Sequence, residues 1–496
     1  MTRTAASVLA LTLVVGGITS ATAAEDGSVL TFHASADRSG MFVVPGLTAA
    51  RARGVHVDTG FQGKLNGHLY AQPLFARASP DDAGMLVAAT ESNEVAALDA
   101  ASGRQLWGRS LGTPVTRAAL GCGNISPLGV TGTPVIDPQT QAVYLDAAVG
   151  GSQGVRHLVF ALSLKDGATL PGWPVDVTEA LKAQNLVFNA RDQNQRSALT
   201  ILDGRVYVPY GGHFGDCGNY HGWVVGISLS LPRDIVAWST AARGGGIWAP
   251  GGLASDGKFL YAGTGNTFGA TTWMGGEAVI RLAPDLAKSS DPRDFFAPSN
   301  WRALDARDLD LGGANPVLLD VPRGNGTQAL VLSLGKDGHG YLLDRNNLGG
   351  IGGSLVDAVV SRQAIRTAPA AYAVGEEAFV AFQGAGARCP AFRSDLTVLK
   401  IASGSPPNLG TAWCASGGGA GSPIVTTTDG RAEPIVWIVG AEGDNRLHGF
   451  KGDTGEPVYA GGPREAMPGL HHFQTLIVAG GRFYVGADDR IYAFSF

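Results

Sequence analysis

MLVAATESNEVAALDAASGRQLW, residues 85–107, shows the repeating unit of this chain at its clearest. An apolar run meets a polar break at Ser92-Asn93, a second apolar run reaches Leu98, and Asp99 to Gly103 separate it from a third run carrying Trp107. Short runs divided by turn formers read as antiparallel strands, because Asn and Gly accept the backbone angles that tight turns require. Relatives of this stretch occur within 132–167, 197–229, 251–286, 315–350, 368–404, 422–456 and 475–494. Taking Pro73, Pro134, Ala198, Gly252, Pro316, Pro369, Pro423 and Leu476 as markers, the repeats are spaced by 53 to 64 residues. Several short strands per period of this size are the signature of propeller blades. Eight repeats predict an all-β, eight-bladed β-propeller. Only 177–189 has room for a useful helix, so a strand–helix alternation and the nucleotide-binding folds built on it are excluded. The last repeat stops at Phe496, short of strands, and the run SVLTFHASADRSGMFV (28–43) is expected to close the ring. Closure of this kind removes open sheet edges.

Composition agrees with a turn-rich β protein. Of 496 residues 72 are Gly, roughly twice the usual share, and only 16% are charged, with a net charge of -5. Low, mildly acidic charge argues against a nucleic-acid partner. Residues 1–23 read as a secretory signal: Arg3, an apolar stretch from Ala5 to Ile18, then Ala21-Thr22-Ala23. That stretch is too short for a span, which needs about 20 apolar residues. The expectation is one propeller domain over 24–496, periplasmic or secreted, with no membrane span. Four cysteines (Cys122, Cys217, Cys389, Cys414) in an exported chain allow two disulfides in three pairings. None has C-x-x-C spacing, so covalent haem is not expected.

The Ala-Leu-Asp-x-x-x-Gly-x-x-x-Trp string at 97–107, echoed by Lys165-Asp166-Gly167 and Gly452-Asp453-Thr454-Gly455, resembles the tryptophan-docking repeat of the quinoprotein alcohol dehydrogenase-like propellers. Many members bind pyrroloquinoline quinone (PQQ), and others are non-catalytic scaffolds of outer-membrane assembly. The resemblance implies site residues in four segments. In GGGIWAPGGLASDGKFLYAGTGN (244–266), Trp248 matches the aromatic floor under the quinone and Asn266 a metal ligand. A flat tricycle needs an aromatic face, and Ca²⁺ takes oxygen ligands. The other reading makes Trp248 a core aromatic and Asn266 a turn residue. In ARDLDLGGANPVLLD (306–320), Asp308 matches the general base and Asp310 the extra ligand of lanthanide-type members. One intervening residue would put both carboxylates on one face of an extended strand; a solvated acidic loop is the alternative. In LGKDGHGYLLDR (334–345), Lys336 matches the cation against the quinone carbonyls. In GGHFGDCGNYHGW (211–223), Asp216 stands, with a one-residue shift, where the family has a Glu metal ligand.

Two features depart from the family pattern, a lone cysteine and short loops between the third and fourth blades that would leave the cofactor thinly covered. GCGNISPLG (121–129) has Cys122 alone where the family has two adjacent cysteines followed by Arg. We therefore expect Cys122 to pair with Cys217 across blade tops and Cys389 with Cys414 locally. Gly150-Gly151-Ser152-Gln153-Gly154 fits a nucleophile motif but lacks the strand-to-helix context it requires. His213 and His221 read as hydrogen-bonded loop residues, and His471-His472 as a loop end. The implied activity is oxidation of a small alcohol by PQQ with Ca²⁺ or a lanthanide, without haem, passing electrons to a separate acceptor such as a cytochrome. The alternative is a binding or assembly scaffold that kept the repeats and lost the cofactor.

Overall fold

The computed structural model describes residues 27–77, 82–390 and 394–496; the signal-peptide reading falls outside them. Eight sheets form the blades of a propeller. The first blade shows why the sequence folds this way. Met85–Ala89 pairs antiparallel with Glu94–Asp99, turning at Asn93, whose φ of 57° suits a hairpin. Asp99 then caps the next turn, accepting from the backbone N–H and the hydroxyl of Ser102, and the outer strand Gln105–Ser110 follows.

The Trp-and-Gly signature is an inter-blade joint. The Trp107 indole donates to the Leu164 carbonyl (2.8 Å), and its ring lies so close to Gly167 that a Cβ there would stand 2.6 Å from Trp107 Cε3. Trp413 does the same on the Gly452 carbonyl (2.7 Å) and Gly455. At the seam between the last and first blades Phe61 takes the tryptophan's place against Gly103.

The ring closes differently from expectation. The last blade holds Leu476–Ala479, Arg482–Ala487 and Arg490–Ser495, and its fourth, outer strand is His56–Val57, antiparallel to Arg490–Ser495. The run at 28–43 instead lies inside the ring. Its Met41–Val43 pairs parallel with Ile424–Thr427, the innermost strand of the seventh blade. The preceding residues reach the inner strands in turn. Val29 bridges Phe75, Leu30 accepts from Ile136, Ala36 from Ser255, Asp37 from Leu318, Ser39 from Ala371 and Gly40 from Val425. Arg38, fully buried, donates to the carbonyls of Phe32, Leu199 and Leu253 and the hydroxyls of Thr31 and Thr200. His33 reaches Thr475 at the eighth blade. This segment is an axial plug. It satisfies backbone groups of inner strands that would otherwise face an empty channel.

The helix expected within 177–189 is the short Val177–Lys182, capped by Asp176. Gly150 to Gly154 form a hairpin tip between two long strands. Both expected disulfides are present, Cys122–Cys217 and Cys389–Cys414. Among the described residues no helix is long and apolar enough to cross a membrane.

Candidate functional site at the axial mouth

One face of the ring carries the segments that enter each inner strand and the turns joining the second and third strands of each blade. Most of the residues singled out above lie in these segments. Trp248 precedes the inner strand Ala254–Ser255, and Asn266 follows Leu260–Thr264 in the same blade. Asp308 and Asp310 lie in the passage to the fifth blade; Lys336 follows that blade's second strand, Gly326–Leu334.

Three of these segments converge on Asp310, which is 3% exposed. Its Oδ1 accepts the Asn266 backbone N–H (2.8 Å), and its Oδ2 accepts the Trp248 indole N–H (3.1 Å) and lies 2.7 Å from Lys336 Nζ. Lys336 Nζ is also 2.7 Å from Asp308 Oδ1 and stands 5.3 Å from the centre of the Trp248 ring. A cation at that distance from an indole is within cation–π range. The two aspartates reach one ammonium by a route other than the expected strand. Asp308 sits at φ 53° in a turn after the helix Trp301–Asp305, and Asp310 opens a 3₁₀ turn. The turn makes the convergence, not alternation along a strand.

Asp216 accepts the Tyr220 hydroxyl (2.6 Å) at φ 53° and makes no hydrogen bond to Asn266 or Asp310. Burial, with the nearby charges of Asp310 and Asp308, raises its carboxyl above the usual range. Sequence reasoning missed two further acids. Glu277, buried, accepts the Leu311 N–H (2.6 Å), and burial followed by the charge of Asp310 pushes it well up. Asp305 holds the N–H and hydroxyl of Thr267 and is raised by burial and by Asp310. The only signal for Glu277 was an acid immediately before the strand run at 278–282. Asp308 and Asp310 contact the ammonium, while Asp216, Glu277 and Asp305 lie near enough for the charge of Asp310 to raise them; oxygen donors of this kind are those a hard cation takes.

Arg196 was missed as well, since a lone Arg in QNQRSALT carries no motif. Its guanidinium lies 4.7 Å from the Phe473 ring and 6.0 Å from that of Tyr70, and its Nη2 has no hydrogen-bond partner among the described residues. Arg196, Tyr70, His472 and Phe473 line a cavity of about 20 Å³, together with Phe32 of the plug. Phe473 stands 6.4 Å from Trp248, tilted by 41°. His213 and His221 bond to the carbonyls of Arg191 and Thr240, as loop residues do.

No protein-family model and no curated protein matches this chain. Solved structures do match. A quinohemoprotein alcohol dehydrogenase from Comamonas testosteroni superposes with a TM-score of 0.63 at 15% identity, covering 95% of this chain and 81% of its own. A europium-containing methanol dehydrogenase gives 0.65 at 13%, covering 95% and 99%. The fold is the quinoprotein dehydrogenase propeller. BamB from Moraxella catarrhalis shares it more loosely, with a TM-score of 0.50 at 13% identity over 89% of this chain and 98% of its own. Cys122, which has no adjacent cysteine, bridges to Cys217, 95 residues away.

Proposed function

We propose that this chain is a PQQ-dependent dehydrogenase-like propeller that oxidises a small alcohol at its axial mouth. The observation that carries the reading is Lys336, held between Asp308 and Asp310 beside the Trp248 ring. The donor set fits the cofactor: an indole face, a fixed ammonium, the buried Arg196 with a free Nη2 for a carboxylate, and carboxylate and amide oxygens for Ca²⁺ or a lanthanide. Trp248 would carry the ring system, Lys336 its carbonyl edge, and Asp216, Asn266 and Asp310 the metal. When bound, the quinone supplies the two-electron acceptor that no side chain provides.

The chain's own residues do the remaining work. Asp308, the exposed member of the pair, takes the alcohol's hydroxyl proton and returns it to water. Lys336 keeps a fixed positive charge where negative charge develops on an acceptor. Burial alone would lower its pKa, but Asp310 and Asp308 more than offset this and raise it, so the charge persists at neutral pH. Phe473 must swing aside, because a flat ring between two others needs about 7 Å of separation between them. Two disulfides support an oxidising compartment, periplasmic or extracellular. A separate acceptor, such as a cytochrome, would take the electrons onward.

The second reading, a non-catalytic scaffold, is favoured by the same Phe473, which narrows the mouth in front of Trp248. Adding PQQ with Ca²⁺ or a light lanthanide to purified protein separates the two. The dehydrogenase reading expects quinone absorbance, quenching of tryptophan fluorescence that Trp248→Ala weakens, and alcohol-dependent dye reduction lost in Asp308→Asn. Absence of both binding and dye reduction would leave the scaffold reading in place.

A further inference from the structure

A second cluster of metal-ligating side chains lies on the same face and shares no residue with the acidic site. His68 belongs to the segment entering the first blade, His471 to the loop entering the eighth, and Asp488 to the turn between Arg482–Ala487 and Arg490–Ser495. His68 Nδ1 and His471 Nε2 each lie 2.6 Å from the same atom, Asp488 Oδ1, and all three ligand atoms fall within 4.8 Å of one another. Other histidines also meet carboxylates: His157 with Asp146, His339 with Asp357, His448 with Asp444, His472 with Glu442. Each of those is one imidazole with one carboxylate. Among the described residues only this cluster brings two imidazoles to a single oxygen.

The backbones that carry the three residues are fixed independently of any ion. The Asp488 N–H donates to the Gly469 carbonyl (3.0 Å), and Gly469, at φ 86°, leaves room that a Cβ would fill, 2.7 Å from Asp488 Cβ. Asp489 accepts the Gly67 N–H (2.8 Å), and the His68 carbonyl accepts the Glu91 N–H (3.0 Å), so His68 is held on both sides. Tyr70 stacks on His471 at 4.4 Å and 20°, which fixes the plane of that ring.

We propose that His68, His471 and Asp488 form a binding site for a divalent transition metal of the zinc type, with its remaining coordination open to water. Two imidazoles and one carboxylate are the donor set of three-ligand zinc sites and of related Fe²⁺, Co²⁺ and Ni²⁺ sites. The same set disfavours Ca²⁺, which takes oxygen ligands, so this site is chemically distinct from the acidic one and does not depend on the dehydrogenase reading. An ion about 2.0–2.1 Å from each donor sets tetrahedral donors about 3.3 Å apart. Each contact therefore opens by about 0.7 Å from its hydrogen-bonded length, a small shift for His68 and Asp488, whose side chains are 44% and 31% exposed. Each imidazole gives the metal the nitrogen that now faces Asp488, releasing any proton it holds to solvent.

The test is titration of the EDTA-treated full-length protein with Zn²⁺ by calorimetry and with Co²⁺ by visible absorbance. One equivalent should bind, Co²⁺ should show the ligand-field band of imidazole coordination, and excess Ca²⁺ should change neither. His68→Ala, His471→Ala and Asp488→Asn should each weaken Zn²⁺ binding by at least about tenfold, whereas His339→Ala, which removes a lone His–Asp pair, should leave it intact. Melting curves check that each variant folds. If an alanine variant does not, the near-isosteric Asp488→Asn and the wild-type Co²⁺ spectrum decide. Failure of the wild type to take up Zn²⁺ saturably, or uptake unchanged in Asp488→Asn and the folded alanine variants, overturns the proposal.

Discussion

Replacing Lys336 by Met tests how the acidic mouth is held together. The ammonium is 2.7 Å from Asp308 and 2.7 Å from Asp310, yet the Asp308 side chain is 61% exposed and that of Asp310 only 4%. At 2.7 Å the attraction is about 1.5 kcal/mol in water and about 6 kcal/mol at the effective dielectric of a protein interior edge. For Asp308 the water value applies, reduced by the cost of ordering both side chains, so this pair contributes less than about 1 kcal/mol. For Asp310, removing Lys336 strands a buried carboxylate, ordinarily a loss of about 3–5 kcal/mol. Trp248 and Asn266 still donate to it, which places the loss near the lower end, about 3 kcal/mol. With about 2.1 cal/mol/K per residue, unfolding of a 496-residue chain carries about 1 kcal/mol/K. Lys336→Met should then lower Tm by about 3 °C and Asp308→Asn by less than about 1 °C. The double variant Lys336→Met/Asp310→Asn should recover at least half of the loss. The Lys336 pKa is raised on folding, so the contribution is present below the unfolded value of 10.5 and disappears as pH climbs through the higher folded value. Thermal melts of the three variants and the wild type at pH 7.5 and in more alkaline buffer are the assay. Equal losses in Lys336→Met and Asp308→Asn, or no recovery in the double variant, would show that the buried Asp310 contact does not dominate.

Three other predictions concern the frame around the site. Burial pushes the Glu91 carboxyl up to about 7 from 4.5, so it destabilises the fold as pH rises from 4.5 through 7; Glu91→Gln should raise stability at pH 8 by up to about 3 kcal/mol and flatten the pH profile of urea midpoints. Gly167→Ala, at φ 70° and with a Cβ 2.6 Å from Trp107, should cost about 2–4 kcal/mol, against about 1 kcal/mol for Gly204→Ala, at φ 71° in open space; equal urea midpoints would sink the docking argument. Arg38→Met removes five donated hydrogen bonds inside the plug and should cost about 3–5 kcal/mol, read as a fall in Tm, and a neutral result would show that the plug does not secure the inner strands.

Much of the architecture was legible because it is written locally. Apolar alternation sets each strand, Asn93 and Gly103 set turns, and Trp107 and Gly167 set a joint, all within reach of a single repeat and its neighbour. The outer strand that closes the last blade was not. His56–Val57 is too short to show a period, whereas 28–43, long enough to be read as a strand, is spent on the axis. At the site, the identities of Trp248, Asp308, Asp310 and Lys336 were visible through resemblance, but their grouping was not. Asp308 and Asp310 were expected on a strand, and a turn with a left-handed residue brings them to Lys336 instead. Glu277, Asp305 and Arg196 were missed because isolated charges in apolar surroundings carry no pattern until burial gives them a reason to matter.

Eight repeats, their strands and the inter-blade docking can be read from the chain alone, since these depend on side chains a few residues apart or one period apart. Which residues share the mouth cannot. Closing the ring brings position 68 to 471 and 488, 196 to 473, and 310 to 248 and 336. Those juxtapositions come from the radius and order of the blades, which no segment encodes alone.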